Sequence, residues 1–154
     1  MEDRHSLLAG RNLVPLTRDD VRRASNVFLG LDSSVNARYE ESTQTAFRIS
    51  QDESGIEFAE IIFGPDIYPG SGIVDPNSTL SLDAAAAHEL AHYYRWRDKR
   101  ELPLGALAHL DEAQTSLEAA LRYQSHLNST DVTQLISDAI QRVQLYIKEL
   151  PVPQ

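Results

Sequence analysis

The chain has 154 residues, enough for one domain with a buried core. It has no cysteine, which excludes disulfides, thiolate metal ligands and a cysteine nucleophile. A formal net charge of -9 argues against non-specific binding to nucleic acid or to an anionic membrane, and no apolar run approaches the roughly 20 residues of a membrane span.

The start, Met1-Glu2-Asp3-Arg4-His5, is polar, and no long apolar stretch follows it. No secretory leader is expected, and a cytoplasmic location fits the lack of cysteine. Residues 1–16 read as an irregular lead-in. Thr17-Arg18-Asp19-Asp20 places an acid three residues after a cap, the start of a helix. Val21, Ala24, Val27, Phe28 and Leu31 continue at helical spacing, so the pattern predicts a helix over about 18–31. Residues 43–50 and 56–63 read as two strands joined by the turn Asp52-Glu53-Ser54-Gly55. Ile73-Val74-Asp75 reads as a short third strand before Pro76.

Ser81 or Asp83 can cap the next helix, and Ala84 to Ala87 give it high helix propensity and no bulk. Such a helix can lie close to a sheet or a neighbouring helix. It is predicted to run to about Asp98, and Pro103 then breaks the chain. A long helix is predicted from Leu104 to about His126, with Leu107, Leu110, Leu117 and Leu121 as its core stripe. Asn128-Ser129-Thr130-Asp131 marks a stop and a new cap. Val132, Leu135, Ile136, Ala139, Ile140, Val143 and Ile147 mark a last helix that ends before Pro151. Together these elements make an α+β arrangement in one domain.

Inside the alanine-rich helix stands His88-Glu89-Leu90-Ala91-His92. Residues four apart lie one turn above each other on one face, so His88 and His92 can aim two imidazoles at one metal ion. Glu89 lies about 100° round the helix from His88, within reach of a water on the metal's open side, where a general base acts. A catalytic zinc needs a third protein ligand. Asp98 has the spacing of the metzincin third ligand, but position 95, where that pattern has glycine for a sharp turn, is Arg95. Glu112 lies twenty residues after His92. A helix, a Pro-containing turn and an antiparallel helix, each side rising about 1.5 Å per residue, return Glu112 beside His92. His109 is one turn before Glu112 on the same face and is an alternative ligand, an orienting partner or a surface residue. Glu118 is a fourth candidate, away from the Glu112 face.

With Ala87-His88-Glu89-Leu90-Ala91-His92 and the later run Asp111-Glu112-Ala113-Gln114-Thr115-Ser116-Leu117-Glu118-Ala119-Ala120-Leu121, the chain resembles the zincin metallopeptidases. It is most similar to the gluzincin-like group and to the small ImmA/IrrE-type HExxH enzymes. The resemblance implies a minimal zincin-like fold, His88, His92 and Glu112 as Zn²⁺ ligands, and Glu89 as general base. It also implies that a strand at about 72–75 lines the substrate cleft. The sequence departs from the family pattern at Ala91, where glycine is usual, and at Ser116, where the extended pattern has aspartate.

The expected activity is zinc-dependent hydrolysis of peptide bonds in a protein substrate, which could be a regulatory protein. The alternative is a zincin-fold interaction protein that binds metal and a partner with little proteolysis. Tyr68, Tyr93, Tyr94, Arg95 and His109 are candidate donors to a reaction oxyanion. Tyr93-Tyr94-Arg95-Trp96-Arg97 could stack on bases, but it continues the metal helix in an acidic chain. It reads better as packing, with Trp96 near the floor of the site.

Overall fold

The computed structural model describes residues 10–70 and 79–151. Helix α1 spans Arg18–Leu31. The Thr17 hydroxyl accepts from the Asp20 amide and the Asp20 carboxylate accepts from the Thr17 amide, completing the expected capping box. Ala24 and Phe28 are the residues of α1 sunk in the core.

Three strands follow: β1 (Ala37–Tyr39), β2 (Ala46–Gln51) and β3 (Glu57–Phe63). β2 and β3 form the expected antiparallel hairpin, in register from Ala46 opposite Ile62 to Gln51 opposite Glu57. Its turn is held by Asp52 Oδ1, which accepts from the amides of Ser54 and Ile56 at 2.8 and 2.9 Å. Gly55 there takes a φ of 82°, open to glycine at little cost. β1 adds to β3 in parallel, giving the order β1-β3-β2. Three residues are too few for an alternating pattern to show in sequence. The predicted strand at 73–75 lies outside the described residues. In the central strand, Ile61, Ile62 and Phe63 are all buried, because both sheet faces are covered there.

After β3 the chain turns tightly. A Cβ on Gly64 would sit 1.6 Å from the Thr43 carbonyl oxygen, so only glycine fits. A 3-10 turn, Pro65–Ile67, follows. The Arg11 guanidinium clamps this turn to the start of the next helix, donating to the carbonyls of Asp66, Ile67 and Leu80 at 2.8–2.9 Å.

Helix α2 spans Leu82–Arg97, with Ser81 as its cap. Leu82, Ala84 to His88, Leu90 and Ala91 are all buried, so this helix runs through the middle of the molecule. α3 spans Ala108–Arg122 and α4 spans Ser129–Lys148, the latter capped by Asn128 with Asp131. The result is α+β, with α2 between the sheet on one side and α3 and α4 on the other. No helix among the described residues is long and apolar enough to cross a membrane.

Two expectations for α3 need correction. It begins at Ala108 rather than Leu104, because Gly105 turns the chain with a φ of 96° and leaves Leu104 in solvent. Its leucine stripe is also not its core face. Leu117 and Leu121 are exposed and Leu107 and Leu110 are half-buried, while Ala113, Thr115, Ser116, Ala119 and Ala120 are buried. The reason is distance: α2 presents alanines, and a helix can approach an alanine face closely only with small residues of its own. α4 shows a milder version. Leu135 and Ala139 are buried as expected, but Ile136, Ile140, Val143 and Ile147 face outward.

This packing predicts an inverted order of mutational sensitivity in α3. In urea unfolding, Leu121→Lys should change stability by no more than about 0.5 kcal/mol. Ala119→Leu, which forces bulk into the helix contact, should cost about 1–3 kcal/mol. The opposite order would mean that the leucine stripe faces inward.

Candidate metal centre

The position of the site follows from helix period and packing. Leu90 is about 200° round α2 from His88 and is fully buried, which fixes the rotation of the helix. His88 and His92 then face α3, and their rings meet edge to face with centroids 4.8 Å apart. Glu112 reaches them from α3. Its Oε2 lies 2.8 Å from His88 Nε2 and 3.3 Å from His92 Nε2, and its Oε1 lies 3.2 Å from His92 Nε2. One donor atom from each of the three residues falls within 4.8 Å of the others. The three sequence-predicted metal ligands are therefore brought together.

The approach of α3 is pinned next to Glu112. Arg95, buried on α2, donates to Asp111 Oδ1 at 2.5 Å, to Gln114 Oε1 at 3.1 Å and to the Arg100 carbonyl at 3.0 Å. The same Asp111 oxygen accepts from the Leu102 amide at 2.9 Å, which ties the connecting loop to the start of α3. Arg95 is thus a strut between helices, its guanidinium committed to Asp111, Gln114 and the Arg100 carbonyl.

The three donors open onto a cleft of about 440 Å³. Its lining includes Glu89, His109, Arg142 and residues 44–47 at the start of β2. Phe47 from that wall packs on Trp96 and Tyr93, so Trp96 supports the site through Phe47. Glu89 keeps a partial opening on the cleft although protein surrounds it. Burial pushes its carboxyl up from the ordinary carboxylate range. The two histidines oppose that rise, and Glu112 and Asp66 add to it.

Burial, the largest single influence on His92, disfavours its charged form. The hydrogen bond and charge of Glu112, with Glu89 and Asp111 adding, outweigh it and push His92 up to about 9. Burial likewise raises Glu112, but the hydrogen bonds and charges of His88 and His92 hold it well below the usual range.

The other ligand candidates lie elsewhere. Asp98 ends α2, exposed and paired with Arg97 and Arg100. Glu118 is paired with Arg100 and Arg122. His109 lines the cleft but pairs with Glu149 at 3.2 Å. Of the other oxyanion candidates, Tyr68 donates to the Asp20 carbonyl and Tyr94 to Asp32, away from the cleft. Tyr93 packs edge-on against Phe47 and Tyr94 and tilted against Trp96.

The sequence reading missed Arg142, Ser116 and Asp138. Ser116 Oγ lies 2.8 Å from His88 Nδ1 and donates to Asp138 Oδ2 at 2.5 Å. Arg142 bridges Asp138 and Glu112, at 3.4 and 4.0 Å. In sequence, Asp138 and Arg142 look like an ordinary i,i+4 surface pair. The chain matches no family model, no curated protein and no solved structure.

The charge pattern predicts a pH signature for metal-free protein. The raised His92 contributes stability that is fully present below its ordinary 6.5 and is lost as pH rises through about 9. The lowered Glu112 contributes stability above its ordinary 4.5 that is lost on acidification. Thermal melts in chelator should therefore show a fall in Tm between pH 6.5 and 9, and His92→Gln should flatten that fall. Parallel profiles for the two proteins would refute the assignment.

Proposed function

We propose that this chain is a zinc-dependent peptidase acting on a peptide or protein substrate. The observation that carries this reading is the convergence of His88, His92 and Glu112, with the carboxylate 2.8 and 3.3 Å from the two imidazoles, on the cleft that Glu89 also lines. Four-coordinate zinc with bonds of about 2.0–2.1 Å would place its ligand atoms about 3.3 Å apart, so the donor set fits the ion in type, and the two separations of Glu112 from the histidines, 2.8 and 3.3 Å, lie near that value. Two imidazoles and one carboxylate also leave a fourth position open, as a catalytic site requires. When bound, zinc would supply Lewis acidity to a water and to a scissile carbonyl.

The rest of the reaction falls to the chain's own groups. Glu89, with its proton affinity raised by burial, takes a proton from a water as its oxygen attacks the carbonyl carbon, then gives it to the leaving amine. β2 is one of the two edge strands of the sheet among the described residues, and residues 44–47 lie along the cleft. An extended peptide can add to that edge through main-chain hydrogen bonds. His109 and Arg142 also face the cleft and can donate to a developing oxyanion.

Glu89→Gln tests the reading. It should leave zinc stoichiometry unchanged and lower kcat for a cleaved peptide about 10²–10⁴-fold. Glu112→Ala should instead weaken zinc binding by more than the roughly 10–100-fold typical of outer partners. Zinc-loaded native protein that binds but never cleaves its partner would leave a binding role only. Zinc binding that survives Glu112→Ala would remove Glu112 from the ligand set.

A further inference from the structure

We propose that Ser116 and Asp138 form a two-residue relay that fixes the tautomer and orientation of His88, and that α4 is thereby the helix that sets metal affinity without supplying a ligand. The proposal rests on the reading of His88, His92 and Glu112 as a metal centre.

Hydrogen-bond accounting gives the relay a direction. The Ser116 hydroxyl has one proton to donate, and its 2.5 Å contact with Asp138 Oδ2 takes that proton. The oxygen facing His88 Nδ1 at 2.8 Å must therefore accept, so His88 Nδ1 carries a proton whether or not Nε2 carries one too. Nε2, the atom turned towards Glu112 and His92, is then the nitrogen left for a metal. A carboxylate bonded directly to a ligand histidine does the same work in many zinc sites. Here the carboxylate stands one residue further out, on another helix, with a hydroxyl between.

Burial makes this an arrangement with a purpose. Ser116 and Asp138 are both fully buried, among Ala113, Ala119, Ala120 and Ala139 with Thr115 and Leu135. A buried carboxylate needs partners, and Asp138 has two: the Ser116 hydroxyl and Arg142 Nε at 3.4 Å. Arg142 Nη1 in turn lies 4.0 Å from Glu112 Oε2. One i,i+4 pair on α4 therefore braces His88 through Ser116 and Glu112 through Arg142.

The test is zinc competition against a chromophoric chelator, joined to nitrogen-edited NMR of the histidine ring protons in metal-free protein. Ser116→Ala and Asp138→Asn should each weaken zinc binding about 10–100-fold in protein with native circular dichroism. Ser116→Thr, which keeps the hydroxyl, should stay within about threefold of native. The double variant Ser116→Ala/Asp138→Asn should be little worse than either single one, because both cut the same chain. In metal-free protein, a slowly exchanging His88 Nδ1–H signal should be present, persist in Ser116→Thr and vanish in Ser116→Ala. Native zinc affinity in Ser116→Ala, fully additive losses in the double variant, or no such Nδ1–H signal in native protein would each overturn the relay. Native protein that shows the signal but takes up no zinc would instead overturn the metal-centre reading and uphold the hydrogen-bond chain.

Discussion

A carboxylate held 2.8 Å from one imidazole and 3.3 Å from another in a buried cleft is stable only when positive charge lies among them. In metal-free protein that charge is protonic. This is why His92 holds its proton to about 9 and Glu112 resists taking one. A divalent cation would serve the same need with more charge and a defined geometry. The rest of the fold answers to that spacing. Arg95 fixes the start of α3 against the end of α2. At the opposite end of α2, the Ser81 hydroxyl donates to Asp131 Oδ1 at 2.6 Å and the Ser81 amide donates to Gln134 Oε1 at 2.8 Å, which fixes α4. Both ends of α2 are thus locked to the helices that face it.

Small side chains make the approach possible. Ala84, Ala87 and Ala91 on α2, and Ala113, Ala119 and Ala120 on α3, are at most 5% exposed. Helix separation is set by the side chains at the contact, and Glu112 has a fixed length with which to cross the gap. Bulkier residues would gain hydrophobic burial and lose the ligand spacing. The larger side chains sit where they do not hold α2 and α3 apart: Phe28 and Phe63 stack under the sheet at 5.5 Å, and Leu117 and Leu121 stand outside. The exposed leucines of α3 are therefore a consequence of the site's geometry.

The same fact explains what could and could not be read from the sequence. His88, Glu89 and His92 were legible because helix period alone puts them on one side of one element. Glu112 was legible because rise per residue fixes where a returning helix comes level. The caps at Thr17, Ser81 and Asn128 were legible because they are local chemistry. The face of α3 was not, since counting apolar residues measures which side would prefer burial, whereas close approach to alanine decided which side was buried. β1 was too short to carry a pattern, and its parallel pairing depends on β3, whose partner residues lie 24 positions further along the chain. Arg142 and Asp138 were hidden because an i,i+4 acid–base pair means solvent on most helices, and only tertiary placement turns it towards Ser116 and Glu112.

The burial of Asp138 bears on why α4 exists in this form. Replacing a buried ion pair by well-packed apolar residues is often neutral or stabilising, and alanine and leucine are what this core uses at Ala113, Ala119, Ala120, Leu135 and Ala139 beside them. Stability alone therefore does not account for a fully buried serine and aspartate at that level of the helices. Orientation does. His88 is held by its backbone on one side only, and an imidazole free to turn about its side-chain bonds would present either nitrogen to the cleft. A hydroxyl at Nδ1 removes that freedom only if its own proton is committed elsewhere, and Asp138 commits it. Arg142 then pairs with Asp138 and holds positive charge near Glu112. The last helix is thereby bound to the chemistry of the first imidazole, so a change in α4 that leaves the fold intact still reaches the donor atoms.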